Sequence, residues 1–331
     1  MQEVAFCRPA SHRPHNLLHW QPDCDTHFLA TCHKDSIQLL VLDPEWKTQH
    51  TKQICLTDRT CSVIQARVLQ IESQIILILI TEKNVQFHDM RRDVVLYTFV
   101  PNEATASGES VENFASGICH LGYFIFIGLA TGGLLVISRL EDGCLVFEDV
   151  VPGLRSSAVT DATADHSHVV TGDSDGSIAV WEPDGQRILR IEVQFDNLSD
   201  QFPVTRVVAS NDLIVAAYGS GHVRVYGVLQ RRLLSEVHAH NGWINDMAIS
   251  DPAPSPGRNP LDNSFLIATA CDDSRVCVFS VKPDYPWISH QVDHCLRNQQ
   301  VVGVTFLTGS TSSGSRQLAA IAYDSCKVSI L

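Results

Sequence analysis

The chain has no CxxC pair and no cluster of Lys or Arg beyond two or three residues, and no apolar h-region follows its first residues. Without paired cysteines at ligand spacing, a structural zinc ribbon or a dithiol redox motif has nothing to stand on. The missing basic cluster matters because Lys plus Arg number 24 against 37 Asp plus Glu, a formal net charge of −13. Phosphate-backbone binding needs a concentrated positive surface, so nucleic acid is not an expected partner. The opening MQEVAFCRPASHRP lacks a secretory h-region, and the expectation is a cytoplasmic protein. Eleven cysteines, an odd number, then read as reduced thiols acting mostly as small hydrophobes.

Length and apolar content are ample. At 331 residues with 44% hydrophobic side chains, the chain can bury a large core. One stretch imitates a membrane span: LGYFIFIGLATGGLLVIS, residues 121–138, carries no charge over eighteen positions. Thr131-Gly132-Gly133 sits in its middle as a turn signal, so two buried strands are expected and no membrane insertion.

Internal repetition carries the fold. Seven segments share an apolar run, a short polar turn and a second apolar run: 28–42, 75–90, 124–138, 168–181, 213–227, 266–280 and 318–331. The first apolar residue after each turn is Ile37, Val85, Leu134, Ile178, Val223, Val276 and Val328, with steps of 48, 49, 44, 45, 53 and 52 residues. That period suits one four-stranded blade, and the strand–turn–strand unit excludes helical solenoids. Both faces of such a small sheet need cover, which radial stacking supplies. The expected fold class is all-β, a single seven-bladed β-propeller spanning 1–331 with no separate second domain. The sequence stops at Leu331 in the third strand of its last unit, while Glu3–Cys7 is an unassigned apolar run. This N-terminal run is predicted to complete the last blade and close the ring.

HVVTGDSDGSIAVW (168–181), with Asp175 in its turn and Trp181 closing its strand, resembles the WD-repeat family. LIATACDDSRVCVFS (266–280) is the next best match, with Asp273 in the turn and Phe279 in place of tryptophan; AHNGWINDMAIS (239–250) resembles the family's Gly-His opening through His240. The resemblance implies a buried hydrogen-bonded network in each unit. It would comprise His240, Thr269 and Asp273 with a non-donating Phe279 in the sixth, and Thr171, Asp175 and Trp181 in the fourth, where Leu154 takes the histidine's place. Residues 114–138, 216–226, 238–251 and 290–307 further resemble one branch of the family. That likeness implies a non-enzymatic interaction protein of a cytoskeletal or ciliary assembly.

Candidate chemistry reads as structure. Fifteen histidines include the pairs His12/His15, His166/His168 and His238/His240, none beside cysteines at zinc spacing, so neither a metal nor another cofactor is expected. The acid pairs Asp173/Asp175 and Asp272/Asp273 lie in turns that favour Asp as a cap of local N–H groups. HDMR (88–91) resembles a W-D-x-R docking element with His88 in place of tryptophan and is read as a solvated strand end. Arg91-Arg92 resembles the paired arginines of phosphoinositide-binding propellers but sits in the second unit rather than late in the chain, and the net charge disfavours an anionic membrane.

The expected partners are other proteins in a multi-subunit assembly, with no small-molecule substrate. The binding residues are sought where turns and blade entries crowd one channel-mouth face: Arg155, Asp173, Tyr218, Trp243, Asp272 and Tyr323, Trp243 foremost because aromatic anchors dominate interface energetics. The Pro-rich loop 251–264 is the second candidate surface, with 308–316 expected to project on the same side and 101–110 a third soft segment near the join of two blades. The alternative is a propeller enzyme or small-ligand binder at the same mouth, which fold alone does not exclude.

Overall fold

The computed structural model describes residues 2–23, 25–56, 58, 60–101, 113–184, 189–198, 201–210, 212–250, 264–283, 288–307 and 317–331. All but one residue of 251–264, all of 308–316 and nearly all of 101–110 lie outside the described residues. The chain is an all-β, seven-bladed β-propeller built from 28 strands in seven four-stranded antiparallel sheets. Strand β1 (Gln2–Ala5) stands apart. Next come the first sheet, β2–β5 (Leu17–Asp23, Thr26–Cys32, Ser36–Leu42, Thr48–Cys55), and the second, β6–β9 (Val63–Ile71, Gln74–Thr81, Val85–Asp89, Val94–Phe99). The third is β10–β13 (Phe114–Leu121, Phe124–Leu129, Leu134–Arg139, Leu145–Val151) and the fourth β14–β17 (Val159–Ala164, Val169–Asp173, Ile178–Glu182, Arg190–Phe195). The fifth is β18–β21 (Val204–Ser210, Leu213–Tyr218, His222–Gly227, Arg232–His238) and the sixth β22–β25 (Ile244–Ser250, Phe265–Cys271, Arg275–Val281, Ile288–Cys295). The seventh holds β26–β28 (Val301–Leu307, Gln317–Ala322, Lys327–Ile330) and β1 as its outer strand.

The closing strand is where the N-terminal apolar run was expected. Gln2 to Ala5 pair with Ile330 to Lys327, and Val4 and Phe6 are buried. The stretch 121–138 is the β11–β12 hairpin, Phe124 facing Ser138 and Gly128 facing Leu134. Among the described residues no helix is long and apolar enough to cross a membrane.

Contacts gather the chain into two compact units, residues 1–57, 219–225 and 233–331 in one and 58–218 and 226–232 in the other. In the second unit, Ile76, Ile78 and Phe87 of the second sheet pack with Ile118, Ile125 and Ile137 of the third. In the first unit, Leu29, Leu40 and Trp46 pack with Val4, Ile321 and Val328. Both faces of the inner strands are therefore apolar, as the long Ile/Leu/Val runs require when a sheet is covered on both sides. The same cover reaches the alternating strand Val223-Arg224-Val225-Tyr226, where even Arg224 is buried, its Nε held by Glu236.

Polar residues one step inside the first strands pin adjacent sheets together. A β-bulge separates Val63 from Gln65, Val159 from Asp161 and Ile244 from Asp246. The bulge turns each polar side chain toward the neighbouring sheet. Gln65 Oε1 accepts the Gly117 N–H at 2.6 Å, Asp161 Oδ2 the Val207 N–H at 2.9 Å and Asp246 Oδ2 the Val304 N–H at 3.0 Å. The sequence signal is a polar residue third in an apolar first strand, a pattern that repeat alignment on the β-turns passes over.

Candidate protein-interaction site

In an up-and-down sheet the start of the first strand and the turn between the second and third strands lie at one end. Within the first unit this brings Trp243, Asp272 and Tyr323 to the same end of the sixth and seventh sheets. Trp243 precedes β22, and its carbonyl accepts the Asp272 N–H at 3.1 Å. Its indole lies on Gly219, where an added Cβ would stand 2.5 Å from the ring. Only glycine leaves that room, and the ring stays 41% exposed. The turn 219–221 also positions the segment before Trp243: the Gly221 carbonyl accepts the Ala239 and His240 N–H groups at 3.0 and 3.1 Å. Asn245 Nδ2 donates to Asp272 Oδ1 at 2.7 Å and to the Val301 carbonyl at 2.9 Å, tying the sixth sheet to the seventh. Tyr323, 47% exposed, stacks on His12 with ring centroids 3.9 Å apart. Two preset aromatic rings thus face solvent at this end.

The second unit places its three candidates differently. Arg155 is exposed and pairs with Asp196 at 2.7 Å. Asp173 Oδ1 accepts the N–H groups of Asp175 and Ser177 at 3.0 and 2.8 Å, so it caps its own turn, and its burial raises its pKa. Tyr218 is a correction. It is fully buried, and its hydroxyl shares a hydrogen bond with that of Tyr226 at 2.8 Å. It closes β19 as a core residue, because the polar turn begins only at Gly219; it offers no surface to a partner.

The repeat network is whole in one sheet and divided in another. In the sixth, His240 is buried, with Nε2 2.8 Å from Thr269 Oγ1 and Nδ1 3.0 Å from Asp273 Oδ2. Phe279 is buried beside this group, its edge toward His290. In the fourth, Trp181 Nε1 donates to Thr171 Oγ1 at 3.0 Å. Asp175 does not join them: it is exposed and accepts from Ser157 Oγ. Leu154, 67% exposed, does not stand where the histidine would. With no imidazole to bridge hydroxyl and carboxylate, the network splits into a buried pair and a surface pair. Beside it lies a cleft of about 30 Å³ lined by Thr171, Asp173, Ser177 and Trp181, room for about two waters. Ser177 Oγ has no partner among the described residues.

Because Trp181 Nε1–H relies on Thr171, a Thr171→Val variant is expected to lose about 1–2 kcal/mol, the usual cost of a buried donor left unmet. Urea unfolding followed by Trp fluorescence would show it; a midpoint unchanged from the parent would mean that the bond contributes nothing.

One group of donors could hold a cation. His240, Cys271 and Asp273 bring ligand atoms within 4.8 Å of one another. Both His240 nitrogens are already engaged by Thr269 and Asp273, and burial pushes the Cys271 thiol up to about 12. The arrangement reads as a hydrogen-bonded buttress. Of the described cysteines, all free thiols, Cys32, Cys61, Cys119, Cys271 and Cys277 are buried, whereas Cys7, Cys55, Cys144 and Cys295 are exposed on turns and outer strands.

A family model described as WDR54 matches residues 15–330. The chain belongs to the WDR54 family. It is 23% identical to the WD repeat-containing protein 54 of Mus musculus over 319 residues, 92% of this chain and 89% of the mouse one. A chain in the crystal structure of the mitotic checkpoint complex superposes with a TM-score of 0.69 at 13% identity, covering 99% of this chain and 90% of its own length. The RRP9 WD40 repeats superpose at 0.65 and 16%, covering 99% of both chains. At such identities these two likenesses show the fold alone. Membership of a WD-repeat family supports a protein-interaction scaffold in general terms.

Proposed function

We propose that this member of the WDR54 family is a non-catalytic adaptor that holds other proteins within a larger cytoplasmic assembly, cytoskeletal or ciliary in kind. The observation that carries the reading is the end of the first unit where Trp243 and Tyr323 stand exposed yet fixed, one on Gly219 and the other on His12. Aromatic rings already held in place lose little entropy on binding and bury much area, the property of interface anchors. Asp272, tied by Asn245, supplies a polar rim. The acidic balance favours basic or neutral partners.

A Trp243→Ala variant is expected to keep its fold and to lose at least tenfold in partner affinity, since anchor truncation commonly costs 2 kcal/mol or more, at least ~2 here. Cross-linking mass spectrometry on the tagged chain in native extract would first name the partner. Titration of that partner against parent and variant then reads the loss. Equal affinity, with circular dichroism unchanged, would remove this face from the account.

A further inference from the structure

We propose that a cleft in the second unit, between the second and third sheets, binds a phosphomonoester carried by a partner protein; the choice of a protein partner rests on the adaptor reading. The cleft holds about 320 Å³, and its lining includes Gln74, Asp89, Arg91, Arg92, Arg139 and Asp142. Three guanidinium groups in one cavity stand out in a chain with only 24 basic residues and a charge of −13.

The arginines are set by the backbone that bears them. After β8 the chain turns tightly, with Asp93 at φ 58° and its N–H on the Asp89 carbonyl at 2.9 Å. Asp89 Oδ1 accepts the N–H groups of both Arg91 and Arg92, at 2.8 and 2.9 Å, so the two side chains leave a fixed turn. Arg91 has no side-chain partner among the described residues, and Arg92 is 78% exposed, its Nε 4.0 Å from Asp89 Oδ2. Arg139 comes from the other wall. Its side chain is only 9% exposed, with Nε on Gln74 Oε1 at 2.9 Å and Nη1 on Glu72 Oε2 at 3.3 Å. Its Nη2 is directed toward Gly143, another lining residue. A largely buried, doubly anchored guanidinium on one wall and two exposed ones on the other make a built site rather than a chance cluster.

Ligand class follows from charge and shape. Asp89 and Asp142 also line the cleft, but both carboxylates accept turn N–H groups, Asp142 from Cys144 at 2.8 Å. Glu72 offsets Arg139, and Asp89 and Asp142 are engaged by turn N–H groups, so the Arg91 and Arg92 guanidinium groups are the ones left to meet an anion. A dianionic phosphate with three free oxygens can accept from guanidinium forks on both walls, where a planar carboxylate faces one. A bilayer is the poorer source of that phosphate. Asp93, Glu141 and Asp142 border the arginines in sequence and would meet the same anionic surface.

The test is calorimetric titration of the full chain with a pentapeptide bearing one phosphoserine, its unphosphorylated twin, and vesicles containing phosphatidylserine and a phosphoinositide. The phosphopeptide is expected to bind, to be displaced by inorganic phosphate, and to weaken at least tenfold in the Arg91→Gln/Arg92→Gln double variant. Both positions are solvated, so melting should not move. Binding should persist in Trp243→Ala, which separates this site from the aromatic face: either can fail alone. Equal binding of the two peptides, an unchanged affinity in the double variant, or arginine-dependent vesicle binding without peptide binding would each overturn the proposal.

Discussion

A chain that starts at Ser11 is expected to be less stable than the parent by about 3–5 kcal/mol, with melting lowered by about 4–7 °C. The truncation removes β1, whose residues Gln2 to Ala5 form the outer ladder on β28. It also removes three further main-chain links, Phe6 N–H to the Cys326 carbonyl at 2.7 Å, Ala10 N–H to the Ser325 carbonyl at 2.8 Å and Asp324 N–H to the Ala10 carbonyl at 3.0 Å. Val4 and Phe6 are each 4% exposed, and burying such side chains contributes about 1.5–3 kcal/mol apiece. Ordering ten residues opposes this gain, yet their loss also bares Val328 and Ile330, at present 0% and 4% exposed. The stripped β28 becomes an open, apolar edge, which invites pairing with a second chain. Concentration-dependent aggregation should therefore accompany the lower melting point. A synthetic peptide of residues 1–10 added in trans should reverse both by strand addition. Identical melting of parent and truncated chains, measured by calorimetry at low concentration, would show that β1 is ornament.

How much of this was legible in the sequence divides along physical lines. The sheets were legible because each repeats one local pattern: the hairpin at 124–138 follows from Gly132-Gly133 between two apolar runs, and the last sheet's missing strand from Val4 and Phe6 standing alone near the N-terminus. Tyr218 was misplaced because polarity along the chain locates a turn only to within a residue, and one residue decides between core and surface at a strand end. Asp175 was assigned to a network through its position in the turn, but the link needs an imidazole, and Ser157, a long way back in sequence, had no signal of its own. Trp243 could be picked by type, whereas its seat on Gly219 depends on a contact between sheets that no local pattern encodes. The same holds for Gln65, Asp161 and Asp246. Their partners lie 52, 46 and 58 residues away.

Acid should loosen the protein well above the pH at which carboxylates titrate. His19, His27, His33, His120 and His240 all have pKa values below the ordinary 6.5, in each case first through burial, and His19 falls to about 4. His19 shows why. It is buried, its Nε2 shares a hydrogen bond with His27 Nδ1 at 3.3 Å so that positive charge on His27 disfavours a charging proton on His19, and Trp46 covers the pair with its ring 4.3 Å from that of His27. Trp46 is itself held by Nε1–H to Gln317 Oε1 at 3.1 Å. The sign of the linkage is set by which state binds more protons. Between pH 6.5 and the lowered folded values the unfolded chain is protonated and the folded one is not, so stability is full above about 6.5 and falls as pH drops toward 4. For His19 alone the loss at pH 5 is about 2 kcal/mol. The other four add to it in the same direction, with Asp273 working against burial at His240. Urea unfolding at pH 7.5 and pH 5.0 should differ by that amount or more, and His19→Asn should remove about 2 kcal/mol of the difference while leaving the other four histidines to supply the rest. Equal stability at the two pH values would mean that the His19–His27 pair is hydrated, and with it that Trp46 does not seal the first sheet against the seventh.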